Sequence, residues 1–142
     1  MSAPIVLSYQ VPGDDFTRAG EASSNIKKAL KRLGFPPEVV RKVAIALYEG
    51  EINMVIHANG GEITATIHTD RIDMQLVDHG PGIPNIDLAM KAGYSTASND
   101  VRDLGFGAGM GLPNMKKYAD DFEISSTIGE GTTISMTVLN VT

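Results

Sequence analysis

Glu49 and Asn53 stand four residues apart in the run ALYEGEINMVIHANGG, residues 46–61, which is otherwise largely apolar. Residues at that spacing are neighbours on one line of a helix. Lys42 shares the line, and Ile45, Ile52 and Ile56 flank it. Val40, Val43, Ala44, Leu47, Met54, Val55 and Ala58 fall on the opposite face, at roughly 100° per residue. An acid and an amide would be costly if simply buried. They suit a half-buried polar cleft, although the pair taken alone also fits a solvated stripe. Glu51 falls within the apolar face, away from Asn53. Face therefore separates the two glutamates, and Glu49 is the one placed for chemistry.

Two further stretches have types and spacing suited to a ligand. RIDMQLVD delivers Asp78 at its end, followed by HGPGIPN. Gly80 and Gly82 there permit backbone geometry that other residues resist, and they let a planar ligand approach closely. A turn punctuated by Pro-Gly reads equally well. GFGAGMGL places glycine at 105, 107, 109 and 111. Consecutive amides leading into a helix N-terminus suit phosphate oxygens, and a hinge would look much the same. The run is not G-x-G-x-x-G and lacks the lysine of a P-loop. His57, His68 and His79 are dispersed without metal-ligand spacing. No serine has the G-x-S-x-G context of a hydrolase.

The elements that must position these residues follow from periodicity and punctuation. PIVLSYQV (residues 4–11) reads as a strand ending at Pro12-Gly13. Asp14 or Asp15 can cap a helix running to about Leu33, with Phe16, Ala19, Ile26, Ala29, Leu30 and Leu33 on its stripe. Pro36-Pro37-Glu38 starts the second helix, which runs to about Ala58 and stops at Asn59-Gly60-Gly61. EITATIHTD and RIDMQLVDHG alternate on either side of Asp70-Arg71 as a hairpin. Residues 81–109 form a long Gly-, Ser-, Asn- and Asp-rich connection with one short helix around 86–91, the form of a functional lid or a disordered segment. GLPNMKKYADD starts a third helix, and strands FEISSTI and TTISMTVLNV meet across Gly129-Glu130-Gly131. The order β-α-α-β-β-loop-α-β-β predicts an α+β fold. It is a two-layer sandwich whose mixed, mostly antiparallel sheet is covered on one face by helices.

Totals narrow the function. The chain has 142 residues, enough for one domain with its own core. Its 42% apolar and 20% charged content excludes long disorder. A net charge of −5 argues against nucleic acid or anionic lipid as the main ligand. Lys27, Lys28, Lys31 and Arg32 form one basic run, which reads as a solvated helix face. With no cysteine there is no disulfide framework and no thiolate site. No apolar run approaches the roughly 20 residues of a membrane span, and MSAPIVLSYQV is not a secretion signal. The expectation is a soluble, cytoplasmic, single-domain protein.

The succession Glu49-x-x-x-Asn53, Asp78-x-Gly80-x-Gly82, Gly107-x-Gly109-x-Gly111 and Gly129-x-Gly131-Thr132 resembles the four nucleotide-binding boxes of the GHKL ATPase superfamily, the Bergerat fold. Each box is loose, but all four in this order are specific. DHGPGIPNIDLAMKAGYSTAS and GAGMGLPNMKKYADDFEISSTIGEGTTI look most like small bacterial anti-sigma and stressosome switch kinases. The stretch ahead of Glu49 is too short for the phosphoacceptor helices of a histidine kinase, and no gyrase-type transducer domain is expected. The resemblance implies one domain over residues 1–142, with an ATP lid at about 84–110.

It also implies residue roles. Asp78 would accept the adenine amino hydrogen, with Gly80, Gly82 and Ile83 beside the base and Thr132 or Thr133 at the ring edge. Asn53 would give a neutral oxygen to Mg²⁺. Gly107, Gly109 and Gly111 would close over the phosphates as a lid, Met110 and Leu112 would join them in binding the nucleotide, and Lys91 or Arg102 would meet the γ-phosphate. Glu49 would orient or deprotonate the acceptor hydroxyl. The activity implied is ATP-dependent serine/threonine kinase action on a STAS-domain partner, with a sigma factor, phosphatase or other effector downstream. Neither nucleic acid nor membrane is an expected partner, and a homodimer through the sheet is open. A nucleotide-gated anti-sigma or effector-binding module with negligible transfer is the alternative, and an ATPase subunit of a larger machine a third. Two features depart from the family pattern. Gly50 follows Glu49, where a mid-helix glycine costs up to ~1 kcal/mol. Glu51 has no counterpart in the minimal motif. A partner contact, capping of a neighbouring polar group, and no role at all are equally open for it.

Overall fold

Strand propensity and alternation give the molecule a single five-stranded sheet. The structure is a computed structural model describing residues 3–13, 18–58, 60–83, 86, 90 and 111–140. Its elements are β1 (Ile5–Pro12), α1 (Glu21–Arg32), α2 (Pro37–His57), β2 (Gly60–Ile67), β3 (Arg71–Asp78), α3 (Gly111–Tyr118), β4 (Asp121–Thr127) and β5 (Gly131–Leu139). The sheet order is β1-β2-β3-β5-β4, and every pairing is antiparallel, so the expected mixed sheet narrows to an antiparallel one. Ile63, Ala65 and Ile67 of β2, Ile72, Met74 and Leu76 of β3, and Ile134, Met136 and Val138 of β5 are buried on one face. Threonine, serine and glutamine alternate with them on the other, as an antiparallel sheet with one solvated face requires. Among the described residues, three helices are present and none is long and apolar enough to cross a membrane.

The helices dock through small and branched residues. Val39, Val40, Val43, Ala46, Leu47, Met54 and Val55 of α2 join Ile26 and Leu30 of α1 and Met115 of α3 in the core. At Gly50, α2 packs tightly against β3 and α3. A Cβ there would collide with Leu76 Cδ2 and stand 3.3 Å from Met115 Sδ. The helix-propensity cost of that glycine is therefore offset by an approach of α2 to β3 and α3 that a Cβ would obstruct unless the Leu76 side chain shifted.

Three sequence expectations shift. α1 begins at Glu21, after Gly20 with φ 95°, and not at Asp14 or Asp15; residues 14–17 lie outside the described residues. Leu33, expected on the buried stripe, is the C-cap of α1 and is exposed, because the helix ends before completing that turn. α3 stops at Tyr118 because Ala119 and Asp120 lead directly into β4. The short helix expected around 86–91 lies mostly outside the described residues, where one helical bond runs from Met90 N–H to Ile86 O at 2.9 Å.

Candidate nucleotide-binding site

Glu49 sits midway along α2, partly buried. Burial pushes its carboxyl above the usual glutamate range, and a side-chain hydrogen bond with Asn114 of α3 pulls it partly back. The close approach at Gly50 is what brings α3 to this point, since Met115 follows Asn114 directly. Asn53 stands one helical turn further on the same line, also partly exposed. Asn114 was missed by sequence reasoning. The signal was Gly50: a glycine beside a functional carboxylate marks a close neighbour, here the helix that carries the carboxylate's partner.

The two glutamates are separated as their faces predict. Glu51 is 1% exposed. Its Oε2 accepts the N–H of Gly20 at 3.0 Å and of Ala22 at 3.2 Å, and its Oε1 accepts that of Ser23 at 2.9 Å. It caps the N-terminus of α1 from another helix, satisfying donors that the first turn cannot pair internally. Of the three roles open for Glu51, capping is the one observed.

A second cluster gathers at the end of β3. Asp78 pairs with Thr132 across the β3–β5 ladder, and its Oδ1 accepts N–H from Gly80 at 3.0 Å and from Thr132 at 3.1 Å. Those two bonds fix the carboxylate and leave Oδ2 without a partner among the described residues. Thr132 is buried, with Oγ1 2.8 Å from Ser126 Oγ. Ser126 Oγ also accepts the N–H of Ile83 at 2.7 Å and donates to Gly131 O at 3.2 Å. Ser126 ties two expected site segments together, the one after β3 at Ile83 and the one opening β5 at Gly131 and Thr132. Sequence spacing gave no signal for it, since it is an ordinary strand serine one residue from the end of β4. Thr133 pairs with Val77 and alternates onto the opposite face, so the structure brings Thr132 to Asp78 and sets Thr133 apart.

Gly80 and Gly82 are required by protein neighbours. A Cβ at Gly80 would stand 2.7 Å from Ala58 Cα at the end of α2. Gly82 has φ 83°, and a Cβ there would stand 2.6 Å from Thr127 O. Leu112, expected to bind the nucleotide, is 6% exposed and packs in the core, while Gly111 opens α3. Gly107, Gly109, Met110, Lys91 and Arg102 lie outside the described residues.

Comparisons with known proteins bear on the family and the fold. Residues 14–138 match the model of the histidine kinase-like ATPase domain. Serine/threonine-protein kinase RsbT of Bacillus subtilis is 32% identical over 124 residues, covering 84% of this chain and 85% of that protein. An anti-sigma F factor of Caldanaerobacter subterraneus is 31% identical over 105 residues, 70% of each chain. Among solved structures, a mycobacterial sensor histidine kinase, MprB, superposes with a TM-score of 0.53 over 95% of this chain and 97% of that one. At 14% identity that likeness bears on the fold alone.

Proposed function

The chain belongs to the histidine kinase-like ATPase domain family, and from that premise we propose that it is an ATP-dependent serine/threonine protein kinase of a bacterial partner-switching pathway. Its acceptor is a hydroxyl on a STAS-domain protein, in a cytoplasmic stressosome or anti-sigma setting. Glu49 is the observation that carries the reading. It is a half-buried carboxylate beside Asn114 of α3, one turn from the amide of Asn53. A carboxylate made more basic than usual is suited to take the proton of the acceptor hydroxyl while that oxygen gains the phosphoryl group and ADP leaves.

The remaining residues bind and orient. Asp78 Oδ2 accepts the exocyclic amino group of adenine; guanine has a carbonyl there, which a carboxylate repels. Thr132 and Ser126 hold the rim on which Asp78 stands. Asn53 offers a neutral oxygen, of the type a hard cation takes, and Mg²⁺ when bound offsets negative charge on the phosphates. The role of a lid over the phosphates is assigned to residues 84–110 of one domain spanning 1–142, a segment that lies almost wholly outside the described residues. Relatedness to an anti-sigma F factor favours a second reading, a nucleotide-gated binding module with negligible transfer.

The two part on Glu49. Labelled ATP is incubated with the STAS-domain proteins encoded beside this gene, using wild type and Glu49→Ala, and ATP binding is followed by calorimetry. The kinase reading expects transfer to serine or threonine by wild type, and none by the variant at unchanged ATP affinity. Transfer that survives in Glu49→Ala overturns the role of Glu49. A wild type that binds ATP and its partner without transfer selects the binding module.

A further inference from the structure

An acidic chain here collects its cations at one end of the helix layer. α1 carries Lys27, Lys28, Lys31 and Arg32 in its C-terminal half, all exposed. α2 adds Arg41 and Lys42 near its start, and α3 adds Lys116 and Lys117 in its last turn. Two observations place these groups together. The N-terminus of α1 is bonded to Glu51, so α1 runs antiparallel to α2 and its basic half lies toward the start of α2. Asn114 meets Glu49, and the Tyr118 ring has Arg41 Cζ at 5.8 Å and Lys117 Nζ at 5.3 Å, so α3 is antiparallel to α2 as well.

The opposite layer has the opposite sign. Residues 60–78 and 120–139 hold eight carboxylates and one cation, Arg71. On the described helices Glu51 is buried, Glu49 lies in the site and Glu21 is paired with Arg18 at 3.2 Å. That leaves Glu38 as the exposed acid of the described helices at the basic end, with Asp120 and Asp121 at its margin where β4 begins, and among the described residues none of the eight cations forms a salt bridge. Neighbouring like charges along each of these helix ends repel one another over a Debye length of about 8–10 Å. The arrangement therefore gains from an acidic surface brought against it.

We propose that this end of the helix layer docks an acidic face of the protein whose hydroxyl is phosphorylated. The identity of that partner rests on the kinase reading. Lys42 lies on the line of Glu49 and Asn53, seven residues before Glu49, which is about 10 Å along the axis. A compact protein seated on the patch thus stands next to the carboxylate that receives its hydroxyl. An extended polyanion would run on to the acids of β4, Asp121 and Glu123, and meet repulsion.

The test separates docking from transfer. STAS-domain proteins encoded beside this gene are titrated calorimetrically into the chain with a non-hydrolysable ATP analogue, at low and high salt, and transfer is measured in parallel with ATP. The variants are Lys28→Glu/Lys31→Glu and Lys28→Ala/Lys31→Ala, with thermal melts checking the fold. Docking predicts a Kd and a protein KM raised about tenfold by the reversal and less by the alanines, with weaker salt dependence and with kcat and ATP KM unchanged. An unchanged Kd and protein KM overturn it. So does a wild type that binds no STAS-domain protein, or one that instead takes duplex DNA or anionic vesicles at the patch. Charge-sensitive binding without transfer keeps the docking surface and removes the kinase reading; transfer indifferent to the reversal does the opposite.

Discussion

Replacing Glu51 with alanine strips three backbone donors of one shared acceptor: the N–H groups of Gly20, Ala22 and Ser23, bonded at 3.0, 3.2 and 2.9 Å. With Glu51 1% exposed, water does not reach the carboxylate's place without opening the α1–α2 contact. A buried donor left unpaired costs about 1–3 kcal/mol, and deletion of a helix cap about 0.5–2 kcal/mol. The bonds to Ala22 and Ser23 are buried and the one to Gly20 is partly so, and the carboxylate also complements the positive end of α1. The summed loss is roughly 3–5 kcal/mol, a large part of the ~5–15 kcal/mol that holds a domain folded. At about 3 °C per kcal/mol for a chain of this size, the melting temperature falls by about 10–15 °C. Urea unfolding followed by circular dichroism measures the same quantity at 25 °C. Glu51→Gln keeps the shape and one acceptor oxygen but turns an NH₂ toward the helix donors, so it falls between wild type and alanine. Well below its melting point, Glu51→Ala binds ATP as wild type does. A loss under about 1 kcal/mol, the range of an exposed ion pair, refutes the capping argument, as does full stability with abolished phosphate transfer.

Gly50→Ala gains up to ~1 kcal/mol of helix propensity and loses about 1–3 kcal/mol to overpacking, because its Cβ meets Leu76. Urea unfolding shows net destabilisation, and a more stable variant would mean that α2 does not approach β3 this closely. Asp78→Asn retains Oδ1 for Gly80 and Thr132 and puts a donor in place of Oδ2. Calorimetry finds ATP binding weakened roughly 100-fold, ~3 kcal/mol, with the melting point nearly unmoved; undiminished affinity removes Asp78 from adenine recognition. Because burial raises the Glu49 pKa in the folded state, ionising Glu49 opposes folding. Its favourable contribution is full below the ordinary glutamate range and is lost as pH rises through the raised value. Glu49→Gln is therefore more stable than wild type at neutral pH, and the gap closes as pH falls into that range. Melting temperature against pH checks the sign, and a gap that widens in acid contradicts it.

What was legible in the sequence was whatever the chain fixes locally. The Glu49–Asn53 line depends only on helical spacing. Both hairpins follow from alternation around short turns, and Asp78 follows from the end of a strand. Contacts between distant segments were not legible. Asn114 reaches Glu49 from the third helix, and Ser126 reaches Ile83 from 43 residues away. The start of α1 was misplaced for the same reason: Asp14 and Asp15 offered a local cap, whereas the helix is capped from Glu51, 28 to 31 residues ahead. A cap supplied by tertiary structure leaves no signature beside the helix it serves.

Glu49, Gly50 and Glu51 together explain why this helix carries acids where an ordinary core helix would not. Successive residues point about 100° apart, so three in a row face three directions. Here each direction has its own element. Glu49 meets Asn114 of α3, Gly50 meets Leu76 of β3, and Glu51 meets the first turn of α1. The carboxylate placed for chemistry is adjacent to a point of tight helix–sheet packing and two residues from a buried anchor. Its side chain can stay partly exposed to a ligand because the backbone beneath it is held from the two other sides. A carboxylate on a free surface helix would keep an ordinary pKa and a range of rotamers; burial against α3 and the sheet gives this one a raised pKa and a defined partner. The buried Glu51 thus serves the site by fixing the helix on which Glu49 stands, and the glycine between them sets how deeply that helix is seated.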